Sequence, residues 1–392
     1  MVAHSFPRVE GDIAGAFIWR LAAALADRGH GVLVLAPADQ GDVGPATLGG
    51  VAVRRLRYAS AKRETLAYQG TMHSDVGRSP LAVLAFAGLL RAFSRAIAEE
   101  CLKGTVNVIH AHWWVPAGLA SALARRHGRP FIVTLHGTDV AVANRLPGGT
   151  AAMAAVLRRA TTVTAVSSFL AADAARALGV PVHAIPLTPM PMAMTKFPDP
   201  DAARSGAIFV GRLTQQKGVH HLLDALARLR RTGLSIDLTV VGDGPERAAL
   251  KAQAIALGLP VMFTGFVPPE RVFDHLAGKR IFILPSVNEG LGLAVAEALA
   301  LGVPVVATRS GGIPDLLRDP EAGALVPPGD PGALAEAIRM VLAEDRFAIG
   351  ALRAGKAIAE RLSPEKVAEQ FEGIYRAARG RSSRGSVAGV RP

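Results

Sequence analysis

Short apolar runs alternate with longer stretches in which apolar residues recur every three or four positions, and this alternation passes twice along the chain. In the first pass, Ala16 to Arg28 has helical spacing and ends at Gly29, a residue suited to closing a helix, ahead of a strand at Val32 to Ala36. A strand at Val106 to His110 and a helix from Ala117 to His127, closed by Gly128, come next. A strand at Phe131 to Leu135, a helix near Ala151 to Arg159, a strand at Thr161 to Ser167 and a helix ending at Gly179 follow. Such an order predicts βαβ units around a parallel sheet. Only Val2 to His4 precede Phe6-Pro7, too few for an ordinary first strand of about five residues. That strand is expected to be stunted or to begin upstream, the second being favoured.

Residues 180–206 interrupt the rhythm, because Pro181, Pro186, Pro189, Pro191, Pro198 and Pro200 crowd there as in a linker. The second pass has strands at Ala207 to Gly211, Leu238 to Gly242, Val261 to Gly265, Ile281 to Leu284 and Pro304 to Ala307. Its helices fall at Val219 to Arg231, Pro245 to Leu257 and Pro331 to Leu342, and a last one lies near Pro364 to Ala378. The pattern predicts two doubly wound α/β domains, residues 1–195 and 196–363, with a ligand cleft between them. The helix over 364–379 is expected to pack back on the first domain, and 380–392 to be a disordered basic tail.

Composition narrows the classes. With 50% hydrophobic and 19% charged residues the chain is globular, and 392 residues are long for one core. A single cysteine, Cys101, excludes an intrachain disulfide framework and a cysteine-based zinc site. No apolar signal segment follows Met1, and no run reaches the roughly 18 uninterrupted apolar residues of a spanning helix. Pro80 to Leu90 comes nearest and is stopped by Arg91. The net charge of +12 is uneven: residues 1–195 hold 19 basic against 11 acidic side chains, 196–375 hold 20 against 21, and 376–392 hold five arginines and no acid. A basic first half and tail suit an anionic partner, whether a membrane surface, a polyanion or a phosphorylated substrate. Nucleic acid is disfavoured, since zinc-finger spacing and RNA-binding aromatic motifs are missing and aromatics make up only 5%.

Two stretches carry candidate chemistry. Pro285 to Thr308, PSVNEGLGLAVAEALALGVPVVAT, starts where the strand Ile281 to Leu284 ends, passes a glycine-rich turn and enters a helix. Glu289 is expected in the turn and Glu297 about two turns into the helix, both toward the crevice at the carboxyl end of the strand. Gly290 and Gly292 leave backbone N–H groups open to an anion near the helix N-terminus. The same spacing also fits two solvated glutamates on a surface helix. GRLTQQKG, Gly211 to Gly218, likewise follows a strand and opens a helix. Its Arg212 and Lys217 flank a turn suited to trapping a diphosphate leaving group, or are solvated loop cations.

With these stretches in this order, the chain resembles the GT-B, family-4-type retaining glycosyltransferases over roughly residues 4–378. VGDGPER (Val241 to Arg247), FTGFV (Phe263 to Val267) and GGIPDLL (Gly311 to Leu317) fall where that family has them. The resemblance implies an α/β fold of two Rossmann-like doubly wound domains facing each other across a cleft. It implies that Arg212 and Lys217, beside Gly211, hold the diphosphate of a nucleotide sugar, that Glu289 faces the donor sugar, and that Glu297 holds the ribose hydroxyls. Backbone N–H groups of Gly290, Leu291 and Gly292 would meet the distal phosphate, and the backbone of FTGFV the nucleobase. Gly15, in the segment Glu10 to Gly15, matches a glycine-rich loop that closes over the phosphates, or is a plain helix-entry turn. His136, in TLHGTD, matches the histidine that contacts the donor sugar near the reacting carbon. His110 and His112, in HAHWWVPAG, and Asp139 are candidates for the acceptor side. Trp113 and Trp114 suit core packing, with stacking on a sugar face as the other reading.

The implied reaction moves a hexose-type unit from a UDP- or GDP-sugar to a hydroxyl acceptor, whether a glycan, a lipid-linked molecule or a small molecule. It would proceed with retention and without a metal or other cofactor. A sugar-nucleotide epimerase of the same architecture and a non-catalytic nucleotide-sugar-binding protein are the alternatives. The family's Asn-Gly-Val-Asp type of loop after Pro186 is replaced here by Leu187 to Met192, so donor preference is not inherited. Acceptor identity is expected in residues 54–95, where Arg54, Arg55, Arg57, Lys62 and Arg63 precede Tyr68-Gln69-Gly70 and an apolar helix from Leu81 to Ile97. That region would dock on an anionic membrane carrying a lipid-linked acceptor, or is a solvated loop beside a buried helix. The expected location is the cytoplasm, or peripherally the cytoplasmic face of a membrane.

Overall fold

The computed structural model describes residues 1–383 apart from 69–71, 73–75, 78, 125–127 and 194–202. The chain forms two compact units, Met1–Pro191 joined by the segment from Pro364 onward, and Met192–Ser363.

In the first unit β1 (Leu33–Pro37) pairs in parallel with β3 (Val51–Leu56), which carries the short antiparallel β2 (Thr47–Leu48). β4 (Ile109–His112), β5 (Phe131–Leu135) and β6 (Thr162–Ala165) form a second parallel run. Val2 stands between the runs and bridges both Leu35 and Ala111 in parallel. Met1–His4 therefore take the central place that the first strand of a doubly wound sheet occupies, beside the fourth. Every residue of β4 and β5 is buried, as parallel strands covered on both faces must be. Helix Ala16–Asp27 buries Ile18, Leu21 and Leu25. The C-terminal helix Pro364–Ser383 packs beside it, with Phe371 fully buried and Arg28 donating to both oxygens of Glu372 at 2.7 and 2.9 Å.

Three differences from the sequence pattern appear here. β3 reads poorly as a strand because VAVRRL carries two arginines, yet these are matched within the unit. Arg54 pairs with Glu99 at 2.6 Å and Glu100 at 2.8 Å, and Arg55 is buried, donating to Tyr68 Oη at 2.9 Å and to the Pro7 carbonyl. Arg57 pairs with the buried Glu64 at 2.8 Å, so of the expected basic cluster only Lys62 and Arg63 stand exposed without such partners among the described residues. Second, the helix expected at Ala117 starts from a π-turn, Trp114–Gly118, and continues as Leu119–Leu123; its expected end at 125–127 lies outside the described residues. Third, the apolar helix runs through Arg91 as Pro80–Leu102, long and apolar enough to cross a membrane by length and composition. Leu89, Phe93 and Ile97 bury one side of it in the unit, while Leu81, Val83 and Leu84 at its start are exposed.

The second unit is one six-stranded parallel sheet of β7 (Ala207–Val210), β8 (Leu238–Val241), β9 (Val261–Gly265), β10 (Ile281–Leu284), β11 (Val305–Thr308) and β12 (Gly323–Val326), in the order β12-β11-β10-β7-β8-β9. β12 and the helices Pro269–Ala277 and Arg346–Arg361 add to the elements that the pattern shows. The chain reverses its direction of sheet growth between β7 and β10, and ligands of doubly wound sheets bind outside the strand ends at such a switch point. Both motif stretches leave the sheet there.

Candidate active site

β7 ends at Val210 and β10 at Leu284, neighbours in the sheet, so the loops 211–218 and 285–292 emerge side by side. Each leads into a helix, Val219–Arg231 behind Gly218 and Leu293–Ala300 behind Gly292. Helix starts carry free N–H groups and partial positive charge. Between them Lys217 Nζ lies 2.5 Å from Glu289 Oε2, and both side chains are mostly shielded. Ser286 Oγ donates to the same carboxylate oxygen at 3.2 Å, and Val287 N–H donates to the Gln216 carbonyl at 2.9 Å, tying one loop to the other. A third loop closes the group. Gly311 has φ +54°, and a Cβ there would stand 1.6 Å from the Glu289 carbonyl oxygen, which accepts the Gly312 N–H at 3.2 Å. Only glycine lets this backbone pass so near the glutamate.

Glu289 lies in the non-helical turn, as expected. Glu297 is the fifth residue of its helix, one turn in rather than two. Leu291 is buried, so its backbone and not its side chain can serve a ligand. Gly290 is half-buried and Arg212 exposed beside Gly211. Ser286, Thr308, which donates to the Ser286 carbonyl, and Gly311 belong to this construction, though no spacing in the sequence singles them out.

The first-unit candidates gather at the carboxyl ends of β4 and β5. His136 follows β5, half-buried, with its ring 4.6 Å from Trp113 and 5.2 Å from Phe17. Its Nε2 lies 3.1 Å from Nδ1 of the fully buried His112. Burial pushes both imidazoles down, that of His136 to about 3, so both are neutral at neutral pH. Gly15 caps helix Ala16–Asp27 with φ +68°, and a Cβ there would stand 2.2 Å from the Ser5 carbonyl oxygen. Close packing alone thus requires glycine at that turn, which Arg8 and Asp12 brace at 2.6 Å.

The acceptor-side candidates His110 and Asp139 are bonded to partners inside the first unit. His110 Nδ1 bonds Tyr375 Oη at 2.8 Å and its Nε2 bonds Thr134 Oγ1 at 2.7 Å, inside the core. Asp139 is buried and accepts N–H groups of Trp114 at 3.1 Å, Gly137 at 2.9 Å and His136 at 3.3 Å. Burial raises its carboxyl above the usual range. His112 is likewise buried. Trp113 and Trp114 are core residues, each 6% exposed.

A doubly wound sheet with paired glycine-led helix starts at its switch point has the geometry with which nucleotide-binding α/β proteins receive anions. Residues 200–357 match the family described as Glycosyl transferases group 1, and residues 14–189 match the Glycosyl transferase 4-like domain. Over 263 residues the chain is 34% identical to the GDP-mannose-dependent alpha-(1-6)-phosphatidylinositol monomannoside mannosyltransferase of Mycolicibacterium smegmatis, covering 62% of this chain and 68% of that one. Over 347 residues it is 29% identical to the 2-deoxystreptamine glucosyltransferase of Streptomyces kanamyceticus, covering 77% and 85%. The structure of Anabaena HepE in complex with UDP and glucose shares the fold with a TM-score of 0.71 at 20% identity, covering 96% of this chain and 99% of that one. The chain belongs to the glycosyl transferases group 1 family, glycosyltransferases of GT-B fold and family-4 type.

Proposed function

We propose that this glycosyltransferase retains anomeric configuration and moves a hexose-type unit from a UDP- or GDP-sugar to a hydroxyl acceptor without a metal ion or other cofactor. The observation that carries the reading is the meeting of Lys217, Glu289 and two helix starts at the ends of β7 and β10. A diphosphate gains negative charge as the anomeric bond breaks, and a lysine with helix N–H groups stabilises that charge. In the proposed assignment Arg212 and Lys217, beside Gly211, take the diphosphate, and the backbone of Gly290, Leu291 and Gly292 takes its distal phosphate. Glu297 takes the ribose, and Glu289, freed as Lys217 turns to the diphosphate, takes sugar hydroxyls. His136 contacts the sugar near the reacting carbon, and the loop closed by Gly15 adjoins the phosphates.

In the transfer step the anomeric C–O bond breaks and its electron pair goes to the diphosphate oxygen. The acceptor oxygen bonds to the anomeric carbon on the same face, and its proton passes to the leaving diphosphate. A double displacement would need a nucleophilic carboxylate beneath the ring, about 5 Å from a second one, whereas the assignment gives Glu289 to the sugar hydroxyls. The names of relatives support the donor class: one is named for GDP-mannose, and HepE was solved with UDP and glucose.

The proposed acceptor is a hydroxyl compound at an anionic membrane surface, on the cytoplasmic side. Support comes from the exposed Leu81, Val83 and Leu84 at the start of a helix that elsewhere contacts the turn carrying the exposed Lys62 and Arg63. The basic tail beyond residue 383 lies outside the described residues. The test is release of UDP or GDP from nucleotide sugars with and without a panel of hydroxyl acceptors, the product's anomeric coupling being read by NMR. Acceptor-dependent release with retention supports the proposal. An epimerised sugar nucleotide formed without acceptor would establish the epimerase instead.

A further inference from the structure

We propose that His112 is a positioning residue that sets the tautomer of His136, leaving His136 protonated on Nδ1 as a hydrogen-bond donor. The catalytic meaning of this rests on the reading of His136 as a donor-sugar contact; the tautomer itself does not.

His112 Nδ1 and His136 Nε2 stand 3.1 Å apart, so one donates and the other accepts. If His136 donated, a neutral His112 would have to carry its own proton on Nε2. That atom is buried and has no partner among the described residues. An orphaned buried N–H is rarer in folded proteins than an unpaired acceptor. His112 therefore donates from Nδ1 and leaves a bare lone pair at Nε2. His136 accepts at Nε2 and must hold its proton on Nδ1. That nitrogen has no partner among the described residues and is not one of the buried orphans. The arrangement makes His136 a hydrogen-bond donor to a substrate oxygen at neutral pH rather than a proton acceptor.

The surroundings fix both rings. His112 sits opposite Thr134 in the β4–β5 register, and its N–H donates to the Val2 carbonyl at 3.0 Å. Its ring lies 4.2 Å from that of His110, which Tyr375 and Thr134 clamp at both nitrogens. The backbone N–H of His136 is held by Asp139. Burial keeps both imidazoles neutral, each with one N–H, so a single proton lies between the two facing nitrogens.

The test uses the full-length protein, without ligand, labelled with nitrogen-15 at histidine. Two-bond nitrogen–proton correlation spectra distinguish the tautomers, and the His136 signals are those lost in His136→Gln. The expected result at neutral pH is an Nδ1–H tautomer for His136. His112→Phe should convert it to a mixture and lower kcat by about tenfold or more with little change in donor KM. His112→Asn, whose amide N–H can replace the Nδ1–H, should restore the tautomer and most of the turnover. An Nε2–H tautomer in the wild-type protein overturns the proposal. So does a His136 spectrum in His112→Phe identical to wild type. Full turnover by His136→Gln with the Nδ1–H tautomer present would remove the sugar contact while upholding the positioning.

Discussion

Lys217 Nζ lies 2.5 Å from Glu289 Oε2 and so joins the two motifs of the second unit across neighbouring loops. The contact neutralises a carboxylate and an ammonium that are proposed to serve different parts of one donor. Under the proposal a diphosphate offers Lys217 a more highly charged partner, and donor binding and release of Glu289 would be one event. Helix starts lie beside this pair, and under the proposal the crevice gains its working charge arrangement only with an anion in place.

Gly311 tests whether the carbonyl packing around Glu289 matters. Gly311→Ala forces a Cβ onto the Glu289 carbonyl at a backbone angle that alanine resists. The loop must move, and kcat/KM is expected to fall by about 100-fold. Steady-state kinetics beside circular dichroism decide this; unchanged kinetics would show that the site tolerates displacement of Glu289.

Tyr375 separates structure from chemistry in the first unit. Tyr375→Phe leaves His110 Nδ1 unpartnered in the core, which should lower stability by about 1–3 kcal/mol. Turnover at 25 °C should stay near wild type. Urea unfolding and a rate assay report both quantities, and a large loss of kcat with unchanged stability would return His110 to the active machinery.

Much of this was legible in the chain. Fully buried strands such as Ile281–Leu284 and Phe131–Leu135, followed by glycine-led helices, have the same bounds in the pattern and in the structure. The glycine-rich turns showed where anion-ready helix starts would fall. Other features depend on long-range pairing and were not visible. Arg54 and Arg55 look like solvated charge until Glu99, Glu100 and Tyr68 are brought beside them. His110 looks like a reactive strand-end histidine until a helix 265 residues later supplies Tyr375. Gly311 carries no sign that it faces the Glu289 carbonyl.

Acid should weaken the fold in a defined window. Burial holds His4 near 4, His136 near 3, and His110 and His112 well below their usual 6.5. Below that value the unfolded chain binds protons that the folded state does not, so stability falls as pH drops from about 6.5. Asp139, raised by burial, acts in the opposite sense but is one group against four. Glu372, held near 2 chiefly by its hydrogen bond from Arg28, loses its contribution only below its usual 4.5. The urea midpoint should therefore decline steadily between pH 7 and 5. A flat midpoint across that range contradicts neutral buried histidines.

The exposed start of helix Pro80–Leu102 gives a test of the membrane partner. Leu81→Glu with Leu84→Glu changes exposed positions and should leave the melting temperature near wild type. Co-sedimentation with vesicles containing anionic phospholipid should fall several-fold, by about 0.8 kcal/mol for each methylene no longer buried. Equal sedimentation of both proteins would remove this surface as the docking site.

The most direct test of the diphosphate site is a thermal-shift screen of the wild-type protein and Lys217→Ala against UDP, GDP and ADP and their sugar conjugates. One nucleotide family should raise the wild-type melting temperature by several degrees through binding linkage, and Lys217→Ala should melt near the unliganded wild type yet lose most of that rise. A rise of equal size in Lys217→Ala, or none with any nucleotide, would contradict a diphosphate site built around Lys217 and Glu289.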